Sequence, residues 1–373
     1  MLEEVRVSVN DTVASTRARH SRTSSRVGFT RSQRLVIAVL IGLVAGLVSF
    51  NQISDTNRAR GVWRWGQDFT YPWRGAQALR VGVNPYEAIQ PVAGTKFPFT
   101  NLLAYPLTAV VVVLPFADVH ADVAAAIFEG LGFALAAYGL LGLATWRLLV
   151  LVSAPAAWAI SNAQWAPLLI GAALVPWLGG LLACKPTLGA ALFLWRPDRR
   201  IFWGAAVLAG ICFLLQPTWL VDWIQVTRHN PDLRRYVPPI RMFGGPILLL
   251  TLLRWRRSEA RLLLFLACVP QNVFFSDQLT LLLIPHTAVE MVASVAWTHI
   301  VERLAIAAHP PNGAFVVTKI WTPYILWGLY VPALLLVLRR RNEGAIPSWL
   351  ERRIASWPVW IRGQHVTSFA DPT

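Results

Sequence analysis

The stretch LVIAVLIGLVAGLVSF, residues 35 to 50, carries no charged side chain, and its reading sets the class of the whole chain. Outward from it, apolar runs of about 15 to 25 residues recur as far as residue 338, bounded by arginines, prolines or tryptophans as membrane-crossing helices are. The composition agrees, with 55% hydrophobic and 14% charged residues over a length of 373 and a mean hydropathy of +0.48. So much apolar sequence exceeds what a water-soluble core of this length buries, and no short alternating strands of barrel type occur. The expected fold is therefore all-α, a polytopic integral membrane protein with about 9 to 11 transmembrane helices.

Beyond Leu35 to Phe50, crossings are expected near 101–117, 121–145, 147–160, 164–184, 201–217, 240–254, 260–275, 279–298 and 319–338. Pro186 to Trp195 is too short for an ordinary crossing and reads as a half-helix or a tilted one. The first loop, to about residue 100, is large, and an interfacial helix is expected from Pro72 to Val81. Three regions follow: a basic, disordered cytoplasmic tail (1–34), a membrane domain (35–340) and a C-terminal tail (341–373). In the last, Trp349, Leu350, Ile354 and Trp357 alternate with Arg352 and Arg353, as in an amphipathic helix lying in the interface.

The net charge of +15 would suggest nucleic acid on a soluble protein. Here the arginines collect at 17–34, 196–200, 254–257 and 339–341, each beside an apolar run, so topology and anionic lipid account for them and no nucleic-acid partner is expected. With the N-terminal tail inside, alternation places Arg196–Arg200 and Arg254–Arg257 inside as well. The same count puts Asp68, Lys185, the 218–239 loop and Phe275–Gln278 at the outer face. It also sends Arg339–Arg341 outside, against the rule, so a segment between 260 and 338 is re-entrant or a crossing is missed. Cys184, Cys212 and Cys268 lie in apolar stretches without paired spacing and read as small core residues.

An ionisable side chain within or beside a membrane span costs roughly 2.5–3.5 kcal/mol on insertion scales, so each one asks for a reason. Lysine occurs only at 96, 185 and 319, and Lys185 sits in an otherwise uncharged run, GGLLACKPTLGAALFLW. It reads either as a snorkelling lysine at a helix end or as a ligand for a lipid-linked phosphate. Asp68 lies among Trp65, Gln67, Tyr71 and Arg74, where rings stack on a sugar while a carboxylate takes a proton. The rival reading is an aromatic belt, with Asp68 capping the helix that starts near Pro72.

Arg228, His229, Arg234 and Arg235 gather positive charge in the 216–241 loop, suiting a phosphate on a lipid carrier or a lipid headgroup. Asp222 and Asp232 there read as local ion-pair partners. Asn272, Ser276, Asp277 and Gln278, with His286 further on, form either a polar pocket or a capped outer loop. Glu129 and Glu290 are candidate buried acids without an evident partner. No phosphate-binding glycine loop or HExxH is present.

In order and spacing the chain resembles the GT-C superfamily of membrane glycosyltransferases, and within it glycosyltransferase family 87. The resemblance rests on Asp68-Phe69, GVNPY at 82–86, the PF and YPL elements at 98–107, NAQWAPLL at 162–169 and CKPTLG at 184–189. It covers about residues 35 to 340, the second half more loosely. It implies a polyprenyl-phosphate-linked sugar donor, a lipid or glycan acceptor at the outer face of the cell (inner) membrane, and the first-loop acid, here Asp68, as general base. Lys185 maps onto a basic residue near the carrier phosphate. Some superfamily members carry two acids in the first loop, whereas here Asp68 is the acid matched to that motif and Glu87 follows well after.

The expected function is therefore transfer of a mannose-like hexose or a pentose, with inversion, by a multi-pass enzyme in contact with membrane lipids. No cofactor is required and metal dependence is left unassigned. The alternatives are a transporter or flippase for a lipid-linked or anionic substrate, or a non-catalytic scaffold. Transporters usually place charges at mid-membrane and show internal repeats, and neither is seen here.

Overall fold

The computed structural model describes residues 29–60, 67–89, 102–230, 236–270, 274–308, 321–346 and 348–362. Among them the regular backbone is helical, with no β-strand. The longer α-helices are α1 (Arg31–Arg60), α2 (Gln67–Arg80), α3 (Leu107–Val113), α4 (Ala121–Leu141), α5 (Ala154–Asn162) and α6 (Trp165–Leu174). They continue with α7 (Pro186–Trp195), α8 (Arg199–Leu215), α9 (Trp219–His229), α10 (Ser258–Cys268), α11 (Ala288–Ala308) and α12 (Val331–Leu338). Tighter 3₁₀ stretches, Thr145–Val152, Pro176–Cys184, Gly245–Arg254 and Phe275–Leu283, carry the chain between them. Among the described residues four helical runs are long and apolar enough to cross a membrane: Arg31–Asp55, α4, α11 and the run Trp321–Leu338 that ends in α12. The α8–α9 pair, bent by 95°, makes a fifth if taken as one span.

Local chemistry starts α1 earlier than the hydropathy suggests. The Thr30 N–H donates to Gln33 Oε1 at 2.9 Å and the Gln33 N–H donates to Thr30 Oγ1 at 3.2 Å, a reciprocal capping box. Residues 31–34 thus belong to the helix and not to a tail, and the helix runs past Phe50 to Arg60. It packs antiparallel on α4 through small residues, Gly42 against Gly130 and Ala134, and Gly46 against Ala126; a Cβ at Gly42 would lie 2.6 Å from the Gly130 carbonyl. Close backbone approach of this kind associates helices where surroundings are as apolar as the side chains. Away from α4, Leu43 and Leu47 are 60% and 65% exposed, an apolar face that water would not tolerate on a bundle of this kind.

The α1–α4 pair defines two ends of the bundle. At one, Gly142 meets the Arg34 guanidinium; nearby, Arg147 donates to the Leu283 carbonyl (3.4 Å) and Arg340 to the Ile284 carbonyl (3.0 Å). Arg254 donates to the carbonyls of Leu338 (3.1 Å) and Arg340, and Arg257 to that of Arg341 (3.1 Å). The arginine clusters at 254–257 and 339–341 therefore share an end. The expected 279–298 crossing is not one helix but two segments joined by a turn, and the fold brings Arg339–Arg341 to the end that carries Arg254–Arg257. Phe275–Leu283 runs down to a turn at Pro285 and His286, and α11 returns from it. Pro285, which has no N–H to donate, marks the break.

Two further expectations are corrected. Residues 101–117 do not run across the bundle, since both ends of the segment touch α2: Tyr105 meets Asp68, and the Trp73 indole donates to the Phe116 carbonyl at 2.8 Å. Residues 164–184 fold back on themselves at Pro176, so that Lys185 returns to Gln164, where α6 begins. Gly180 permits the return, lying so close to Gly204 of α8 that a Cβ would sit 2.7 Å from its carbonyl.

The expected interfacial helix begins at Gln67, not at Pro72. The tail is short helices, Ser348–Arg353 and Val359–Arg362, pinned to the 254–257 turn and not lying free. The fully buried Arg256 guanidinium forks onto Glu351 at 2.7 and 3.2 Å, and the Trp255 indole donates to the Ile361 carbonyl at 2.8 Å. Ile354 is buried beneath them. Cys184 and Cys212 are core residues, whereas Cys268 is exposed.

Candidate functional site

The end opposite the arginines carries the site, and a proline sets its first element. Pro72 stands inside α2 and has no N–H to give the carbonyl four residues back, which is that of Asp68. The Trp165 indole takes that acceptor instead, at 3.2 Å. The start of α2 is thereby tied to α6, and Asp68 lies in the first helical turn with its side chain turned to the bundle. It does not cap a helix starting at Pro72, so the capping alternative is set aside.

Gln164 precedes α6 after a bend that the sequence does not advertise. Ala163 ends α5 in the left-handed region, at φ 46° and ψ 61°, a conformation costing a non-glycine residue roughly 1–2 kcal/mol. Gln164, 4% exposed, then bridges the cluster: its Nε2 donates to Asp68 Oδ2, and its Oε1 accepts from Lys185 Nζ at 3.1 Å. Lys185 also donates to Asp277 Oδ1 at 3.1 Å and lies 3.6 Å from Asp68 Oδ2. Tyr105 hydrogen-bonds Asp68 from the side; burial and then the charges of Asp68 and Asp277 push its phenol well above the usual range, so it remains a donor.

The two carboxylates differ in setting. The Asp277 side chain is 4% exposed and the Lys185 side chain 11%, while that of Asp68 is 29% exposed. Asp277 is therefore the buried counter-ion of the lysine, and Asp68 is the acid that an incoming molecule can reach. Each charge pair attracts with roughly 5 kcal/mol at an effective dielectric of about 20, set against several kcal/mol of desolvation per ion. Aromatic rings wall the cluster: Phe69 to Phe128 and Phe128 to Trp165 at 4.9 Å, and Tyr105 to Trp165 at 6.0 Å.

The other sequence candidates fall in several places. Arg74 donates to Gln77 Oε1 at 3.0 Å and lies over Trp73 at 5.1 Å, and burial lowers its guanidinium from the ordinary value. Tyr71 packs against the core beside Tyr105. Gln278 is buried next to Asp277, its amide donating to the Phe274 carbonyl at 2.9 Å. Arg228 and His229 close α9, which packs on the Asn84 turn and not into the cluster: Asn84 donates to Asp222 at 3.0 Å and the Trp223 indole to the Ala104 carbonyl at 2.9 Å. Asp222 is thus held by hydrogen bonds, including one from Thr218 at 2.7 Å. Trp65, Arg234, Arg235, Asp232, Asn272 and the Gln67 side chain lie outside the described residues.

His286 does not join the pocket. It sits at the arginine end, against Glu259, where burial lowers its imidazole from the ordinary value. Glu290 finds a partner there in Arg340, at 2.6 Å. Glu129 remains buried in α4, both oxygens without a partner among the described residues, within the electrostatic reach of Asp68. Sequence reasoning missed Gln164 and Tyr105 as site members; the NAQWAPLL and YPL elements containing them entered only as motifs of the resemblance, with no role for either side chain. Among the described residues no three His, Cys, Asp or Glu side chains gather as a metal site. No family model, curated protein or solved structure matches the chain.

Proposed function

We propose that the chain is a multi-pass membrane glycosyltransferase of GT-C type, with about 9 to 11 crossings, using a polyprenyl-phosphate sugar as donor. The observation that carries this reading is the convergence of Asp68, Lys185 and Asp277 within 3.1–3.6 Å from three distant parts of the chain. Further support comes from charge placement. Arg34, Arg147, Arg254, Arg257 and Arg340 occupy the opposite end, which the positive-inside rule makes cytoplasmic, so the Asp68 end faces outward.

In this mechanism the Asp68 carboxylate accepts the proton of an acceptor hydroxyl. The oxygen attacks the anomeric carbon from the face opposite the phosphate, and the electron pair of the breaking carbon–oxygen bond leaves on the phosphate, with inversion. Lys185, its donors shared with Asp277 and Gln164, contributes positive charge near the leaving phosphate as a neighbour and not as a chelating ligand. Arg74 and Arg228 add positive charge at the same end.

Asp68→Asn, assayed in liposomes with a polyprenyl-phosphate sugar, is expected to insert normally and to lose sugar transfer. Full transfer by that variant would end the assignment of Asp68. Translocation of the lipid-linked sugar by wild-type protein with no transfer would establish the transporter reading instead.

A further inference from the structure

Gln164 touches both working charges of the site, and its two ends do different things. The amide N–H₂ faces Asp68 and the amide carbonyl faces Lys185. Turned over, the amide would set its oxygen against a carboxylate and its N–H₂ against an ammonium, so the lysine fixes which end Asp68 meets. Lys185 in turn keeps its place through Asp277, at 3.1 Å against 3.6 Å to Asp68. The chain is thus ordered: Asp277 holds Lys185, Lys185 orients Gln164, and Gln164 holds Asp68. The backbone accepts strain at Ala163 to deliver the amide to this spot.

A residue that only filled space here would not need one donor and one acceptor at a fixed separation. Methionine has nearly the same volume and neither group. We propose that Gln164 is the positioning residue of Asp68, its amide, locked by Lys185, aiming the carboxylate at the acceptor hydroxyl. The proposal rests on the reading of Asp68 as the general base. Misaiming a reacting group by about 1 Å costs on the order of 100-fold in rate, whereas Lys185, still held by Asp277, keeps its charge near the donor phosphate, so donor binding changes little.

The test compares wild type, Gln164→Met and Gln164→Glu in liposomes, with two readouts. In transfer assays, Gln164→Met is expected to lower kcat by roughly 10- to 100-fold with KM for the donor within about twofold. Gln164→Glu, which keeps an acceptor for Lys185 but presents an oxygen to Asp68, is expected to be no better. Independently of any transfer, a hydrophobic carbodiimide, which modifies carboxyl groups, is expected to label Asp68 several-fold faster in Gln164→Met, because the side chain is no longer tied to the amide and turns freely to the reagent.

Asp277, still paired with Lys185, keeps its labelling rate. Unchanged kcat together with unchanged Asp68 labelling would overturn the positioning role. Parallel losses in KM and thermal stability, with unchanged labelling, would reduce Gln164 to packing. If wild type transfers no sugar while the labelling difference holds, the aiming of Asp68 stands and the transferase reading falls.

Discussion

Removing the ammonium of Lys185 is the sharpest test of the site's geometry, and it needs no assumption about activity. Among the described residues Lys185 is the one cation hydrogen-bonded into the cluster that holds Asp68 and Asp277, and its side chain is 11% exposed. In Lys185→Met, Asp277, only 4% exposed, is left without its counter-ion beside Asp68. Breaking a buried pair from one side costs about 3–5 kcal/mol, because the remaining charge stays out of water. Each kcal/mol moves Tm by about 2–4 °C in a domain of 150–250 residues and by less in a longer chain such as this one, so a fall of roughly 5–15 °C is expected in detergent.

The double variant Lys185→Met/Asp277→Asn removes the stranded charge and is expected to recover at least half of that loss. Asp68→Asn in the same background is expected to recover less, since its carboxylate is 29% exposed and already meets solvent. A Tm for Lys185→Met within about 2 °C of wild type, a shift of under 1 kcal/mol, would refute the buried network. So would a double variant no more stable than the single one.

Two more outcomes follow from groups outside the cluster. Glu351→Gln is expected to loosen the C-terminal tail, costing about 1–3 kcal/mol because Arg256 keeps its carbonyl partners, and limited proteolysis should cut beyond residue 346 faster. Glu129→Leu is expected to stabilise the fold by about 1–3 kcal/mol, read as a higher Tm, because it replaces a buried carboxyl that has no partner among the described residues. A lower Tm would show that Glu129 has a partner.

Much of this protein was legible in the sequence because hydropathy and charge act locally. Leu35–Phe50 predicted a long apolar helix, the N-terminal arginines and Arg254–Arg257 were expected at one basic end, to which the structure adds Arg339–Arg341, and Asp68 and Lys185 stood out because an isolated charge in apolar sequence is costly. What sequence could not supply was where each apolar run folds back. Length separates one helix from two only when helices are regular, and here 3₁₀ stretches, Pro176–Cys184 and Phe275–Leu283, double back beside their neighbours where hydropathy reads one continuous apolar run. Nor could it assign partners. Gln164 reaches Asp68 because of a left-handed alanine and a proline four residues past an aspartate, signals that acquire meaning only when α2 and α6 lie side by side. Sequence determined which groups are too costly to bury alone; only the tertiary structure decided which of them share a site, because desolvation is a property of each residue and compensation is a property of its neighbours in space.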